Sequence, residues 1–123
     1  MKTPPLISVV EDDDSVRESL RGFIRSVGFA AKEFATAEEF LAWQDHRSTH
    51  CLILDVRMPG MNGLELQERL VATHCAIPVI FITAHGDAEV RARALGAGAV
   101  DFLSKPFSDE ALLRALKVAL GSK

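Results

Sequence analysis

The chain has no apolar run long enough to cross a membrane, its longest being about one strand in length where a membrane helix needs roughly 18 residues. Its start, MKTPPLISVV, carries one lysine and meets acid at Glu11. It therefore lacks the apolar core and cleavage site of a secretory signal, and a cytoplasmic location is expected. Cysteine is scarce: Cys51 and Cys75 stand in no CxxC pattern, so buried reduced thiols are expected rather than a disulfide. There is also no basic block. The net charge of −3 is spread along the sequence, which argues against direct nucleic-acid binding by this segment. No linker or tail interrupts the composition, and one domain over residues 1–123 is expected, with no output domain in this chain. A chain of this length buries roughly two thirds of its unfolded surface in a single core.

What the sequence does contain is alternation. Three apolar runs, Leu6 to Val10, Cys51 to Leu54 and Val79 to Ile82, suit strands buried on both faces. Ala30 to Phe34, more polar and so edge-like, and Val100 to Ser104 complete a set of five. Between them lie helical periods. Val16, Leu20, Phe23, Ile24 and Val27 share one face, as do Leu112, Leu113, Leu116 and Leu120. Shorter helices fit Ala37 to Gln44, Gly63 to Thr73 and Ala88 to Leu95. Asp14 or Ser15 is placed to cap the first helix, Gly28 to stop it and Ser108 to cap the last. Repeated βα units predict an α/β fold with a parallel sheet covered on both faces. In such sheets ligands bind beyond the carboxyl ends of the strands.

Those ends carry the chemistry. The first strand runs into Glu11-Asp12-Asp13-Asp14, the third into Asp55, the fourth into Thr83 and the fifth into Lys105-Pro106. Carboxylates brought together raise one another's pKa unless a cation neutralises them. An oxygen-only set with room for water favours Mg²⁺, which typically takes one or two carboxylates along with phosphate oxygens. With Mg²⁺ and the Lys105 ammonium screening phosphate oxygens, one carboxylate can attack phosphorus. Asp55 is the best nucleophile because it ends the central strand alone, before a Met-Pro-Gly turn, whereas the Glu11–Asp14 run also has a helix to cap.

The segments VVEDD, LDVRMPGMNGLEL, ITAHGD and GAVDFLSKPF resemble, in order and spacing, the motifs of response-regulator receiver domains, and the last two look most like FixJ-type receivers. The resemblance implies a flavodoxin-like (βα)5 doubly wound sheet with strand order 2-1-3-4-5. It implies Asp55 as phosphoacceptor and Asp12 as a direct Mg²⁺ ligand, with Mn²⁺ able to substitute. Glu11 would act on the metal mainly through water, and the Arg57 backbone carbonyl would supply another ligand. Thr83 and Lys105 would bind the phosphoryl oxygens, with Lys105-Pro106 cis. Thr83 and Phe102 would form the switch, the Phe102 ring moving inward by packing alone because it has no hydroxyl. Arg57 and His85, on the rim, would modulate dephosphorylation. The implied partners are a histidine kinase or phosphotransfer protein and, after phosphorylation, a second copy docked through the fourth helix, fifth strand and fifth helix. Such a chain is not a turnover enzyme, though it would take phosphoryl groups from small donors and lose them to water, and its output is expected to include transcription.

Two other readings use the same residues. A small phosphatase with an aspartyl-phosphate intermediate would want an acid two residues after the nucleophile, where Arg57 stands; an unphosphorylated interaction module would not need the full acid, hydroxyl and ammonium set. Elsewhere the plainer reading is preferred. Asp13 and Asp14 belong to a helix start. Gly96-Ala97-Gly98 is a helix stop and turn, His46 and His50 lie in a loop, and His74 follows a helix end. Trp43 and most phenylalanines are core.

Overall fold

The three apolar runs become the three central strands of the sheet, buried on both faces at every residue but the partly exposed Leu6. The computed structural model describes residues 3–84 and 88–121. Among these, the order is β1 (Leu6–Val10), α1 (Asp14–Ser26), β2 (Ala30–Phe34), α2 (Ala37–Ala42), a 3₁₀ turn at His46–Ser48, β3 (Cys51–Asp55), α3 (Gly63–Ala72), β4 (Val79–Thr83), α4 (Ala88–Gly96), β5 (Asp101–Ser104) and α5 (Asp109–Ala119). All strand pairs are parallel in the order β2-β1-β3-β4-β5, the flavodoxin-like arrangement that the resemblance implies.

Strand side chains alternate between two cores, as the pleat requires. Val10, Leu52, Leu54, Val79, Phe81 and Phe102 meet α2, α3 and α4 on one face. Ile7, Val9, Cys51, Ile53, Ile80 and Ile82 meet α1 and α5 on the other. Helix α1 packs through Leu20 and Ile24, and α5 through Leu112, Ala115 and Leu116, each fully buried leucine or isoleucine contributing about 1.5–3 kcal/mol. Cys51 and Cys75 are both buried free thiols. No helix among the described residues is long and apolar enough to cross a membrane.

Two local expectations need correction. The cap of α1 is Asp13, whose side chain accepts the Val16 N–H at 3.0 Å. The helix therefore starts at Asp14, one residue before Ser15 could serve. Helix α2 ends at Ala42, short of Gln44, because Trp43 leaves the helical region and tilts its ring against Phe34, centroids 5.7 Å apart. At the end of α3, His74 takes a positive φ of 56°, and Cys75 N–H closes onto the Leu70 carbonyl at 2.8 Å. That is the turn for which glycine is usual. Gly28, at φ 92°, stops α1 as expected.

Candidate functional site

Register brings the site together. Phe34, Val10, Leu54, Phe81 and Phe102 form one row across all five strands. The next position along β1 and β3 is Glu11 and Asp55, on the opposite face of the pleat. One step further come Asp12 and, at the end of β4, Thr83, which is paired with Ser104 just before Lys105. The residues expected from separate segments thus meet at one sheet edge. Ligand oxygens of Glu11, Asp12 and Asp55 lie within 4.8 Å of one another.

Glu11 is the centre of this arrangement and is fully buried. Its N–H donates to Phe34 O at 3.1 Å, and its carbonyl accepts from Arg17 Nη1 at 2.7 Å. Its Oε1 accepts from Lys105 Nζ at 2.7 Å and its Oε2 from the Asp13 N–H at 2.9 Å. Both carboxylate oxygens are therefore engaged. Asp12, by contrast, is exposed at the mouth. Asp55 is buried, with Oδ1 accepting the Arg57 N–H at 3.3 Å and Oδ2 3.7 Å from Lys105 Nζ.

Burial pushes the Asp55 carboxyl above its ordinary range; the Lys105 charge and hydrogen bonds with Glu11 and the Arg57 N–H oppose the rise, and the Asp12 charge adds to it. Asp12 is raised through desolvation and through the hydrogen bond and charge of Glu11. For Lys105, burial acts to lower the pKa, but the hydrogen bond to Glu11 and the charges of Asp55, Glu11 and Asp13 leave it raised. The pocket is thus a set of acids held together by one ammonium, with two carboxyls favouring protons. A cation held by oxygens relieves that condition. The donor set fits Mg²⁺: Glu11, Asp12 and Asp55 each offer a carboxylate oxygen to one shared space.

Thr83 is almost fully buried, and its carbonyl accepts the Lys105 N–H at 2.7 Å, fixing the start of the β5–α5 loop. The Lys105-Pro106 peptide is cis. Arg57 is exposed on the rim, as expected, while His85 lies outside the described residues. Phe102 lies on β5 with its side chain in the core. Its ring is already inward, 4% exposed, with its centroid 6.2 Å from that of Phe81. The reason is that Phe102 belongs to the same apolar row as Phe81 and Leu54 and packs into the core beneath α4.

Sequence reasoning missed three supporting residues. Gly63 opens α3 directly against β3, and a Cβ there would collide with the Asp55 carbonyl oxygen. Its signal was the glycine in the segment after Asp55, read only as a helix start. Glu38 on α2 accepts the Met61 N–H at 3.0 Å, beside a capping box in which Asn62 and Glu65 bond reciprocally. Together they hold the loop that carries Arg57. Arg17 carries no local signal at all, since its partner carbonyl is set by the tertiary fold.

Comparison with known proteins agrees with this geometry. A family model described as the response regulator receiver domain matches residues 7–117. Nodulation protein W of Bradyrhizobium diazoefficiens is 49% identical over 117 residues, covering 95% of this chain and 52% of that protein. Response regulator protein TmoT of Ectopseudomonas mendocina is 45% identical over 115 residues, covering 94% of this chain and 52% of that protein. The chain thus spans about half the length of these curated relatives. Among solved structures, the crystal structure of FixJ-N superimposes with a TM-score of 0.88 at 40% identity, covering 100% of this chain and 98% of that one. The response regulator StyR superimposes with a TM-score of 0.89 at 50% identity, covering 97% and 60%.

Proposed function

The chain belongs to the response regulator receiver domain family, and on that premise we propose that Asp55 accepts a phosphoryl group from a phosphohistidine on a partner kinase or phosphotransfer protein. A carboxylate oxygen of Asp55 bonds to phosphorus as the donor's P–N bond breaks and the imidazole keeps the electron pair. The observation that carries this reading is the meeting of Glu11, Asp12 and Asp55 with Lys105 in range of both Glu11 and Asp55.

In this reading Asp12, Asp55 and the Arg57 backbone carbonyl hold Mg²⁺, or Mn²⁺ in its place, with Glu11 contributing charge through water. When bound, the ion supplies charge neutralisation of phosphate oxygens. Lys105 turns from its ion-pair position toward a phosphoryl oxygen, and Thr83 donates to another. Arg57 and His85, at the rim, govern the approach of water and hence how long the phosphoryl group lasts. Small donors such as acetyl phosphate serve as well, since the chemistry lies in this chain's residues.

Phosphorylation turns the singly charged Asp55 carboxylate into an acyl phosphate of about −2 next to Thr83, a net gain of about one negative charge, and biases a two-state element. Phe102, inward in this structure, shares its core with Val90 and Ala94 of α4, so Thr83 and Phe102 link the phosphoryl site to the α4–β5–α5 surface. That surface then pairs with a second copy and controls an output, transcription among the options, given the regulator names of the relatives and the half of their length that lies outside the match.

The test uses acetyl phosphate with Mg²⁺ and mass spectrometry of the intact chain. Wild type should take one hydroxylamine-labile phosphoryl group, and Asp55→Asn none. Equal labelling of Asp55→Asn would overturn the assignment. Thr83→Ala should be labelled yet fail to dimerise; full phosphorylation-linked dimerisation in it rules out the coupling.

A further inference from the structure

The acidic turn that holds Glu11 and Asp12 has little regular structure of its own. Glu11 follows the last residue of β1, and α1 begins only at Asp14. Backbone bonds tie its two ends, Glu11 N–H to the Phe34 carbonyl and Arg17 N–H to the Asp13 carbonyl, and the Arg17 side chain reaches back over it from α1. Its Nη1 donates to the Glu11 carbonyl at 2.7 Å, and its Nη2 pairs with Asp14. Its Nε lies 3.9 Å from Glu33 Oε2 on β2, while Glu33 Oε1 is held by Arg21 Nη1 at 2.8 Å. The Arg17 side chain is 17% exposed, so its fork is largely committed to these contacts rather than to water.

The Glu11 carbonyl and the Asp12 N–H and Cα belong to one planar peptide unit. A donor fixed on that oxygen consequently restrains the plane from which the Asp12 side chain departs. The other bonds of Glu11 do not do this: Phe34 holds its N–H, and Lys105 and the Asp13 N–H hold its carboxylate.

We infer that Arg17 is a positioning residue for the divalent-cation site: through the Glu11 carbonyl it sets the direction in which Asp12 meets Asp55. This rests on the reading of Asp55 as a Mg²⁺-assisted phosphoacceptor. The inference has a sign that charge alone does not share. Arg17 is a cation near a cation site, so removing its charge favours Mg²⁺, whereas removing its hydrogen bond disorders the ligand and disfavours Mg²⁺. Positioning wins if the net effect is weaker binding, and supporting contacts around metal ligands are typically worth about 10–100-fold in affinity.

The experiment is a MgCl₂ titration of the intact chain followed by backbone amide shifts, on wild type, Arg17→Ala and Arg17→Lys, together with acetyl phosphate labelling rates across the same Mg²⁺ range. Arg17→Ala should bind Mg²⁺ about 10-fold more weakly, yet approach the wild-type labelling rate once Mg²⁺ is saturating. Arg17→Lys, with charge but no fork, should fall between. Equal or tighter Mg²⁺ binding in Arg17→Ala overturns the inference, as does a labelling rate that stays low at saturation. If Arg17→Ala does not fold, the same comparison of Arg17→Lys with wild type decides. A wild type that neither binds Mg²⁺ nor takes label sinks the underlying reading as well, and is recognised because it fails before any variant is compared.

Discussion

Lys105 Nζ lies 2.7 Å from Glu11 Oε1 and 3.7 Å from Asp55 Oδ2, so the ammonium is hydrogen-bonded to the fully buried acid and only within ion-pair range of the proposed phosphoacceptor. The proposed catalytic lysine therefore has a second task in this state. It makes the burial of Glu11 tolerable, since a buried charge without a partner is costly.

Replacing Lys105 should accordingly cost stability as well as phosphoryl chemistry. Lys105→Ala is expected to destabilise the chain by about 2 kcal/mol in urea denaturation at neutral pH, less than the ~3–5 kcal/mol of a fully buried pair because Lys105 keeps some exposure. Glu11→Gln in the same background should recover part of that loss. A loss below about 0.5 kcal/mol would place the pair among surface ion pairs of little consequence.

Gly60 and Gly63 should separate sharply. At Gly63 an added Cβ would meet backbone, the Asp55 carbonyl oxygen and, at 3.0 Å, Val56 Cα, neither of which can move without shifting β3. Gly63→Ala is expected to cost about 3 kcal/mol and to slow labelling of Asp55. At Gly60 the backbone has φ 76°, and the obstacle is Glu38 Oε2 at 2.7 Å, the end of a flexible side chain. Gly60→Ala should cost about 1 kcal/mol, with part recovered by Glu38→Ala if the close carboxylate is the cause. Equal costs at the two positions would contradict this distinction.

Burial pushes the Cys51 thiol up from 9.0 to about 12. The unfolded chain releases this proton near 9.0 while the folded chain retains it, so folding binds more protons in that interval. The stability this group contributes is present in full below the unfolded pKa and is lost as pH rises toward about 12. Urea titrations across the alkaline range should show a shallower decline in Cys51→Ala than in wild type, and the folded wild type should leave Cys51 unlabelled by iodoacetamide. Parallel declines would remove Cys51 as the cause.

Because Phe102 is inward and packed near Phe81, Phe102→Ala should cost about 3 kcal/mol through the cavity it leaves, while Phe102→Leu should cost under about 1.5 kcal/mol. Thermal unfolding of the unphosphorylated chain measures both. A cost for Phe102→Ala below about 1 kcal/mol would mean that the ring spends much of its time outside.

Much of the fold was legible because its signals are local. Runs such as Val79 to Ile82 are apolar throughout since both faces are covered, and Gly28 and Ser108 punctuate helices with their own backbone and side-chain chemistry. Candidate site residues were legible for a related reason: in a parallel α/β sheet the end of every strand lies at one edge, so Glu11, Asp12, Asp55, Thr83 and Lys105 could be assigned to one place from strand ends alone. Trp43 shows where this fails. Its helical spacing continued the pattern of α2, but contact with Phe34, on another element, ended the helix earlier.

The sequence by itself determined the alternation, the strand ends and the residue types gathered there, because hydrophobic period and chain order are properties of neighbouring residues. Only the tertiary structure decided that both oxygens of Glu11 are taken, by Lys105 and by the Asp13 N–H. It alone set Arg17 on the Glu11 carbonyl, Gly63 against the Asp55 carbonyl and Phe102 inside the core. Each of these depends on the distance and direction between groups, and between elements the folded packing sets both.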